Sequence, residues 1–276
     1  MKEICFVELP SPGSYGGIYS ELICALVTSF TKFGVRVSYQ SNRLNPKIPN
    51  LVFAWYRKYL KENTRAVRLP PNCVVFNLAP LSASETFPWL QKYTESLAYS
   101  PVIDYSTFNE SLIHELGNTR TFRFLFGYTK LSPFQYPDRK QNLLFYGRVN
   151  AHRKPVLEKI IANGTSLKVI SDIWGHERDL QIGMAHSVIN IGKHDRSILE
   201  TYRLWHCLCL GTPIISERGI DAVLTEEWDP YVKFIDGVEE VSSSTSFPDP
   251  KLYQQQTSFD EEAYRLMQWI NSLKLN

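Results

Sequence analysis

The sequence predicts an α/β protein made of two doubly wound domains facing a cleft, and three observations predict it. Short apolar runs bounded by Gly, Pro or polar residues recur along the chain, as buried parallel strands do. Amphipathic segments of helical period separate them. The alternation pauses at the Pro-containing stretch 132–141 and then starts afresh. At 276 residues the chain is long enough for two ordinary domains, and 43% hydrophobic residues provide for a sizeable core. The expected division is 1–135, 136–255, and a closing helix over 256–276 that packs back toward the first domain.

Residues 3–9 form the first expected strand. The loop PSPGSYGG and a helix over 18–33 follow, and Gly34 closes that helix before a strand at 35–39. Strand, Gly-rich loop, helix, strand is the opening unit of a doubly wound domain. Gly16 and Gly17 let backbone approach a ligand, and free N–H groups at a helix N-terminus favour phosphate; a plain turn is the alternative. Strands follow at 51–55 and 74–77, with a basic helix expected at 57–65. A polar loop at 77–86 carries Glu85, and an amphipathic helix spans 88–98. SPVIDYSTFN reads as a buried strand followed by a helix cap, with a short helix at 112–116.

NLLFYGRV, 142–149, opens the second domain. A helix at 156–162, a strand at 167–171, a helix at 177–185 and a strand at 188–191 follow. In SILETYRLWHCLCLGTPIISE, Ile198, Tyr202, Trp205 and Cys209 recur at helical spacing. Gly211 ends that helix, Pro213 forbids its continuation, and Ile214 and Ile215 begin a buried strand. Glu200, Arg203 and His206 lie three apart on one helix face. Beyond Gly219 the expectations are a strand at 231–235, a loop at 241–250 and an amphipathic helix at 259–273.

Helix followed by GTPIISE resembles the donor-binding segment of the GT-B glycosyltransferases of the group-1, retaining type, which have two Rossmann-like domains. The match to D-Y-S-x-x-N, to Gly127–Tyr128 and to a G-x-E-R-D-like run at Gly175–Asp179 is similar to a small bacterial and viral subgroup. In the superfamily a Glu five residues before the turn Gly holds the donor ribose. Here that position is His206, so Glu200 is the natural substitute, with Arg203 orienting it or contacting phosphate, and all three, His206 included, are expected donor-binding residues. A helix-surface ion pair is the alternative for Glu200 and Arg203.

The resemblance implies further site residues. Arg148, Arg153 and Lys154 would hold the donor diphosphate, where fixed cations stabilise charge that develops as the anomeric bond breaks. Trp174 would stack on the base, or else be a core residue. Lys193, His194 and Arg196, in the loop after a strand, would face the sugar and phosphates. Glu85 and His194 are the expected catalytic groups. No D-x-D metal signature, P-loop, GxSxG or HExxH occurs, so neither a bound metal nor another cofactor is expected.

The expected activity is transfer of a sugar from a nucleotide-diphosphate donor to an acceptor hydroxyl, in glycan or surface polysaccharide synthesis. A non-catalytic binding module on the same fold and a nucleotide-sugar epimerase are the alternatives. A net charge of +2 gives no argument for nucleic acid as a partner. Five scattered Cys without a CxxC pair suit reduced thiols. No apolar run reaches membrane-spanning length, so the expectation is a cytoplasmic protein, at most peripheral to a membrane.

Overall fold

The computed structural model describes residues 1–9, 19–59, 67–83, 87–131, 139–242 and 245–275. Contacts divide the chain into two compact units, Met1–Phe126 with Phe259–Asn276, and Gly127–Ser258.

The first unit holds a parallel sheet of β1 (Glu3–Glu8), β2 (Arg36–Ser41), β3 (Asn50–Phe53), β4 (Cys73–Phe76), β5 (Val102–Asp104) and β6 (Thr121–Arg123), in the order β2-β1-β3-β4-β5-β6. Helices α1 (Ser20–Lys32), α2 (Pro88–Leu97) and α3 (Thr107–Glu115) connect strands. A row of phenylalanines runs across one region of the core: Phe6, Phe53, Phe76 and Phe124 approach in sequence at ring separations of 5.7, 5.3 and 5.2 Å. Phe259 continues the row at 5.7 Å from Phe124. It begins the last helix, Phe259–Ser272, which also meets α1 where Asp260 accepts from Ser29 at 2.6 Å.

The D-Y-S-x-x-N segment is a buried polar hub. Asp104 accepts from Asn77 Nδ2 at 2.6 Å, Ser106 N at 2.9 Å and Asn109 Nδ2 at 3.1 Å, while Tyr93 donates to Asn77 at 2.8 Å. Burial pushes the Asp104 carboxyl up to about 7, against the pull of those donors. Ser106 caps α3 by accepting from Asn109 N, so the helix starts at Thr107, five residues before the expected start at 112. The described part of the expected basic helix is a single 3-10 turn, Trp55–Tyr59. Arg57 there points inward, donating to Leu9 O at 2.6 Å. The rest of that helix and most of the 132–141 stretch lie outside the described residues.

The second unit has β7 (Lys140–Tyr146), α4 (Arg153–Ala162), β8 (Leu167–Ile170), α5 (Gly175–Met184), β9 (Ala185–Asn190), α6 (Thr201–Cys209), β10 (Ile214–Glu217), α7 (Ala222–Trp228), β11 (Lys233–Ile235) and α8 (Pro250–Gln256). Its sheet is parallel, in the order β11-β10-β9-β7-β8. Leu143, Phe145, Ile189, Ile191 and Ile215 from the strands and the residues after them pack with Leu157 and Ile160 of α4. After β8 the chain returns to the other side of β7 to lay down β9. The strand order therefore reverses between β7 and β9, and in such sheets the crevice at the carboxyl ends of the reversing strands is where ligands bind.

Gly211 closes α6 as its spacing predicts. Its φ is +73°, Thr212 N donates to Cys207 O and Gly211 N to Leu208 O, each at 2.9 Å. This double bond pattern satisfies carbonyls that the helix end leaves open. Two helices depart from expectation. Asp221 caps α7 by accepting from Leu224 N, and Asp249 with Pro250 starts α8 in a segment whose Ser and Pro content reads as loop.

Candidate functional site

The loops that follow β7, β9, β10 and β11 surround a cavity of about 340 Å³. Its walls include His152, Asn190, His194, Glu200, Glu217 and Asp236. Two glycines are forced by close packing here. A Cβ on Gly192 would lie 2.9 Å from Ser197 Cβ, and one on Gly219 would lie 2.6 Å from the backbone N of Leu199. The loop after β9 is thus pressed against the loop after β10. Glu217 bonds the two together by accepting from Gly192 N at 2.9 Å.

Beside the cavity one carboxylate holds two guanidiniums. Glu200, immediately before α6, accepts from Arg153 Nη2 at 2.5 Å and pairs with Arg203 Nη2 at 2.8 Å. Arg153 also donates from Nε to Ile191 O at 3.0 Å and from Nη1 to Arg148 O at 3.2 Å. One side chain therefore ties the loop after β7, the loop after β9 and the start of α6. The planar fork of Arg allows this, because its donors leave in fixed and different directions. Arg203 reaches in over Gly147, whose absent Cβ would stand 3.2 Å from Arg203 Nη2. Its guanidinium also lies 4.9 Å from the Tyr146 ring centre. Burial would raise the Glu200 carboxyl, but Arg203 and Arg153 outweigh it and hold the group below the usual glutamate range.

The expected site residues are placed in several different ways. Glu200, Arg203 and Arg153 come together as described. Arg153, expected to reach a diphosphate, is turned inward instead: its side chain is 6% exposed and its donors meet carbonyls and Glu200. Arg148, Lys154, Lys193 and Arg196 are exposed around the same sheet end. Lys154 lies 3.8 Å from Glu158, and Lys193 contributes its carbonyl to Asn150 Nδ2 at 2.8 Å. His194 is half-buried in the cavity wall, where burial, Lys193 and His152 lower its pKa. Trp174 is half-buried immediately before α5, with the Arg178 guanidinium 5.8 Å from its ring.

His206, also expected at the donor, is 1% exposed, with Nε2 2.8 Å from Asp179 Oδ1 and its ring stacked on Tyr202, so it joins α6 to α5. Glu85, Gly16 and Gly17 lie outside the described residues.

Asn190, Glu217 and Asp236 line the cavity without having been singled out from sequence. The signal was positional. Asn190 and Glu217 are the last residues of β9 and β10, and Asp236 follows β11, so the carboxyl-end rule alone would have nominated all three.

No protein-family model matches the chain. The crystal structure of AviGT4, described as a glycosyltransferase involved in avilamycin A biosynthesis, aligns over 99% of this chain and 98% of that one. The TM-score is 0.64 at 14% identity. The fold is GT-B. A DNA-modifying beta-glucosyltransferase, described with and without its substrate uridine diphosphoglucose, aligns over 99% of this chain and 98% of that one. Its TM-score is 0.48 at 10% identity. Among curated proteins, an uncharacterized protein, L140, of Acanthamoeba polyphaga mimivirus is 22% identical over 198 residues. That match covers 66% of this chain and 63% of the relative's length, so the relative is longer than the part spanned here. Among the described residues no helix is long and apolar enough to cross a membrane.

Proposed function

We infer that this protein is a glycosyltransferase that moves a sugar from a nucleotide-diphosphate donor to an acceptor hydroxyl. The observation that carries this reading is the cavity at the carboxyl ends of β9 and β10, beside the reversal of strand order, in a chain whose fold over 99% of its length is that of a glycosyltransferase.

The chemistry assigns roles to the surrounding residues. The acceptor oxygen bonds to the anomeric carbon while the bond from that carbon to the diphosphate oxygen breaks. Negative charge grows on the diphosphate, and Arg148, Lys154, Lys193 and Arg196, exposed at this end of the sheet, are the cations proposed to stabilise it. Arg153 acts on the loops and on Glu200, which it positions. Glu200 is the acceptor for donor hydroxyls, since an ionised carboxylate takes several hydrogen bonds at once. His194 is the proposed proton acceptor at the cavity wall, and Glu85 is the proposed catalytic carboxylate of the first unit. Trp174 offers a ring for the base. Gly16 and Gly17 are the proposed backbone ligands of the donor diphosphate. Cationic side chains and helix N-termini supply the electrostatics without a bound metal. Assembly of a glycan or surface polysaccharide is the corresponding biological setting.

A thermal-shift screen of nucleoside diphosphates tests the reading. A ligand at about a hundred times its Kd adds roughly 2.7 kcal/mol to stability. Radiolabelled donors are then offered with oligosaccharide, lipid-linked and DNA hydroxyl acceptors. Sugar transfer to one of them is expected; no shift with any nucleotide, together with no transfer, would refute it.

A further inference from the structure

Connections leaving the carboxyl end of the first sheet carry aromatic side chains close to where they begin. Tyr19 precedes α1, Tyr56 lies in the turn after β3, and Trp89 is in the first turn of α2, beyond β4. Strands β1, β3 and β4 are neighbours in that sheet, and its order reverses between β1 and β3. The rings form a row. The Tyr19 and Tyr56 hydroxyls share a hydrogen bond at 3.2 Å, the Tyr56 and Trp89 ring centres are 6.2 Å apart, and those of Trp89 and Phe87 are 6.5 Å apart. Exposure grows along it: Tyr19 is buried, Tyr56 and Trp89 are half-buried, and Phe87 is 37% exposed.

Folding alone does not account for the outer end of this row. Phe87 is the N-cap of α2, a position where Ser, Thr, Asp or Asn would accept from an open N–H. It makes no such bond and stays largely in water. The inner end is held in place. Ala54 leaves β3 with φ at +58°, a conformation that L residues avoid, and the turn carrying Tyr56 follows directly. Buried Tyr93 meets Tyr56 edge-on at 6.1 Å and is itself fixed by donating to Asn77. Fixed, part-exposed rings with hydroxyls beside them suit a ligand that is apolar on one face and hydroxylated at its rim. A sugar ring has that character: its axial C–H bonds meet an aromatic face, and its hydroxyls stay at the edge. Phosphate is less well served. Arg57, the cation beside Tyr19, is 5% exposed and donates inward to Leu9 O. Lys58 leans over Trp55, 5.2 Å from its ring.

We propose that Tyr56, Trp89 and Phe87 bind the acceptor, and that the acceptor is a saccharide chain whose sugar rings stack on them. This rests on the glycosyltransferase reading and adds the class of acceptor to it. Bases would stack on the same rings, but a nucleic acid strand also needs cations along its backbone. A lipid chain would make no use of the hydroxyl pair at the inner end.

The test uses the whole chain. Maltohexaose, cellohexaose, laminarihexaose and chitohexaose are titrated by calorimetry, beside an oligo-dT strand and phosphatidylcholine vesicles. At least one hexasaccharide is expected to bind, and Trp89→Ala should weaken it about tenfold while Trp89→Phe, which keeps a ring, stays within about threefold of wild type. Phe87→Ser separates binding from folding. Ser is a good cap, so this variant should melt at or above the wild-type temperature and yet bind the saccharide about threefold more weakly. UDP-glucose and GDP-mannose are titrated as donors, and their affinities should not change in these variants. Binding of a donor with no binding of any hexasaccharide overturns the proposal and leaves the transferase reading intact. So does saccharide affinity unchanged in folded Trp89→Ala and Phe87→Ser, or loss of oligo-dT or vesicle binding in their place. If no sugar nucleotide binds at all, the transferase reading falls and this proposal with it.

Discussion

Replacing Glu200 by Gln tests whether one carboxylate is the counter-ion for two guanidiniums. The side chains of Arg153 and Arg203 are 6% and 10% exposed, and Glu200 is 29% exposed. An exposed ion pair contributes roughly 0–1 kcal/mol, whereas a hydrogen bond to a charged group contributes about 1.5–3 kcal/mol. Glu200 makes one of the latter with Arg153 and a 2.8 Å ion pair with Arg203, with little water around either partner. Gln keeps one acceptor oxygen but presents an NH2 to the second Arg. The expected loss is about 2–3 kcal/mol at pH 7, less than the ~3–5 kcal/mol of a fully buried pair because Glu200 retains some solvent. At ~2–4 °C per kcal/mol, melting should fall by about 4–12 °C. The pH dependence gives a second reading. Because the folded pKa of Glu200 is lowered, its contribution is complete above the unfolded value of about 4.3 and disappears as pH falls through the folded value. The melting curves of wild type and variant should therefore converge in acid. Binding of the donor nucleotide to the folded variant should weaken by about 1.5–3 kcal/mol. A variant melting within about 1 °C of wild type at pH 7 would show that the two arginines do not depend on this carboxylate, against the roughly 4 °C minimum expected here.

Other perturbations probe separate parts of the structure. Gly219→Ala drives a Cβ to 2.6 Å from backbone that cannot swing aside, so a loss of about 1–3 kcal/mol is expected in urea unfolding; an unchanged midpoint would contradict the packing. Asp104 has its folded pKa raised to about 7, so its contribution to stability falls as pH rises from roughly 3.9 through that value. Asp104→Asn should remove that part of the slope between pH 5 and pH 8, read from denaturant midpoints, and an identical slope would refute it. Arg148→Ala combined with Arg196→Ala should weaken nucleoside diphosphate binding while leaving nucleoside binding unchanged, by calorimetry; equal loss for both ligands would remove these cations from the phosphate site. Donor binding should survive EDTA unaltered, and restoration by added Mn²⁺ after a loss would contradict metal-independent binding.

Much of the fold was legible because its strands are buried on both faces. VVF in β4, LLFY in β7 and II in β10 are apolar runs with no other place to go. Strand β6 was not legible: Thr121, Phe122 and Arg123 are all partly exposed, so three residues of mixed polarity carry no pattern. The signals for α7 and α8 were present as Asp221, Asp249 and Pro250, but short helices in polar surroundings are outweighed by loop-forming composition. In the site, helical spacing brought out Glu200 and Arg203, because three-residue spacing is a local property. The inward turn of Arg153 was not readable, since its partners at Arg148, Ile191 and Gly192 come from loops after two different strands. The burial of His206 was not readable for a related reason. Its neighbour Asp179 belongs to another helix, and three-residue spacing does not say which side of a helix faces the core.

The guanidinium of Arg153 also has a dynamic consequence. Connecting loops ordinarily fluctuate independently, and fixing each residue's backbone takes about 1–2 kcal/mol of conformational entropy at 25 °C. Here the carbonyls of Arg148, Ile191 and Gly192 converge on one side chain, so the two loops are ordered during folding rather than on encounter with a ligand. Their amide hydrogens should exchange together, in a single opening event set by release of Arg153. A ligand arriving at this end of the sheet would meet a rigid rim, and its affinity would carry little ordering penalty.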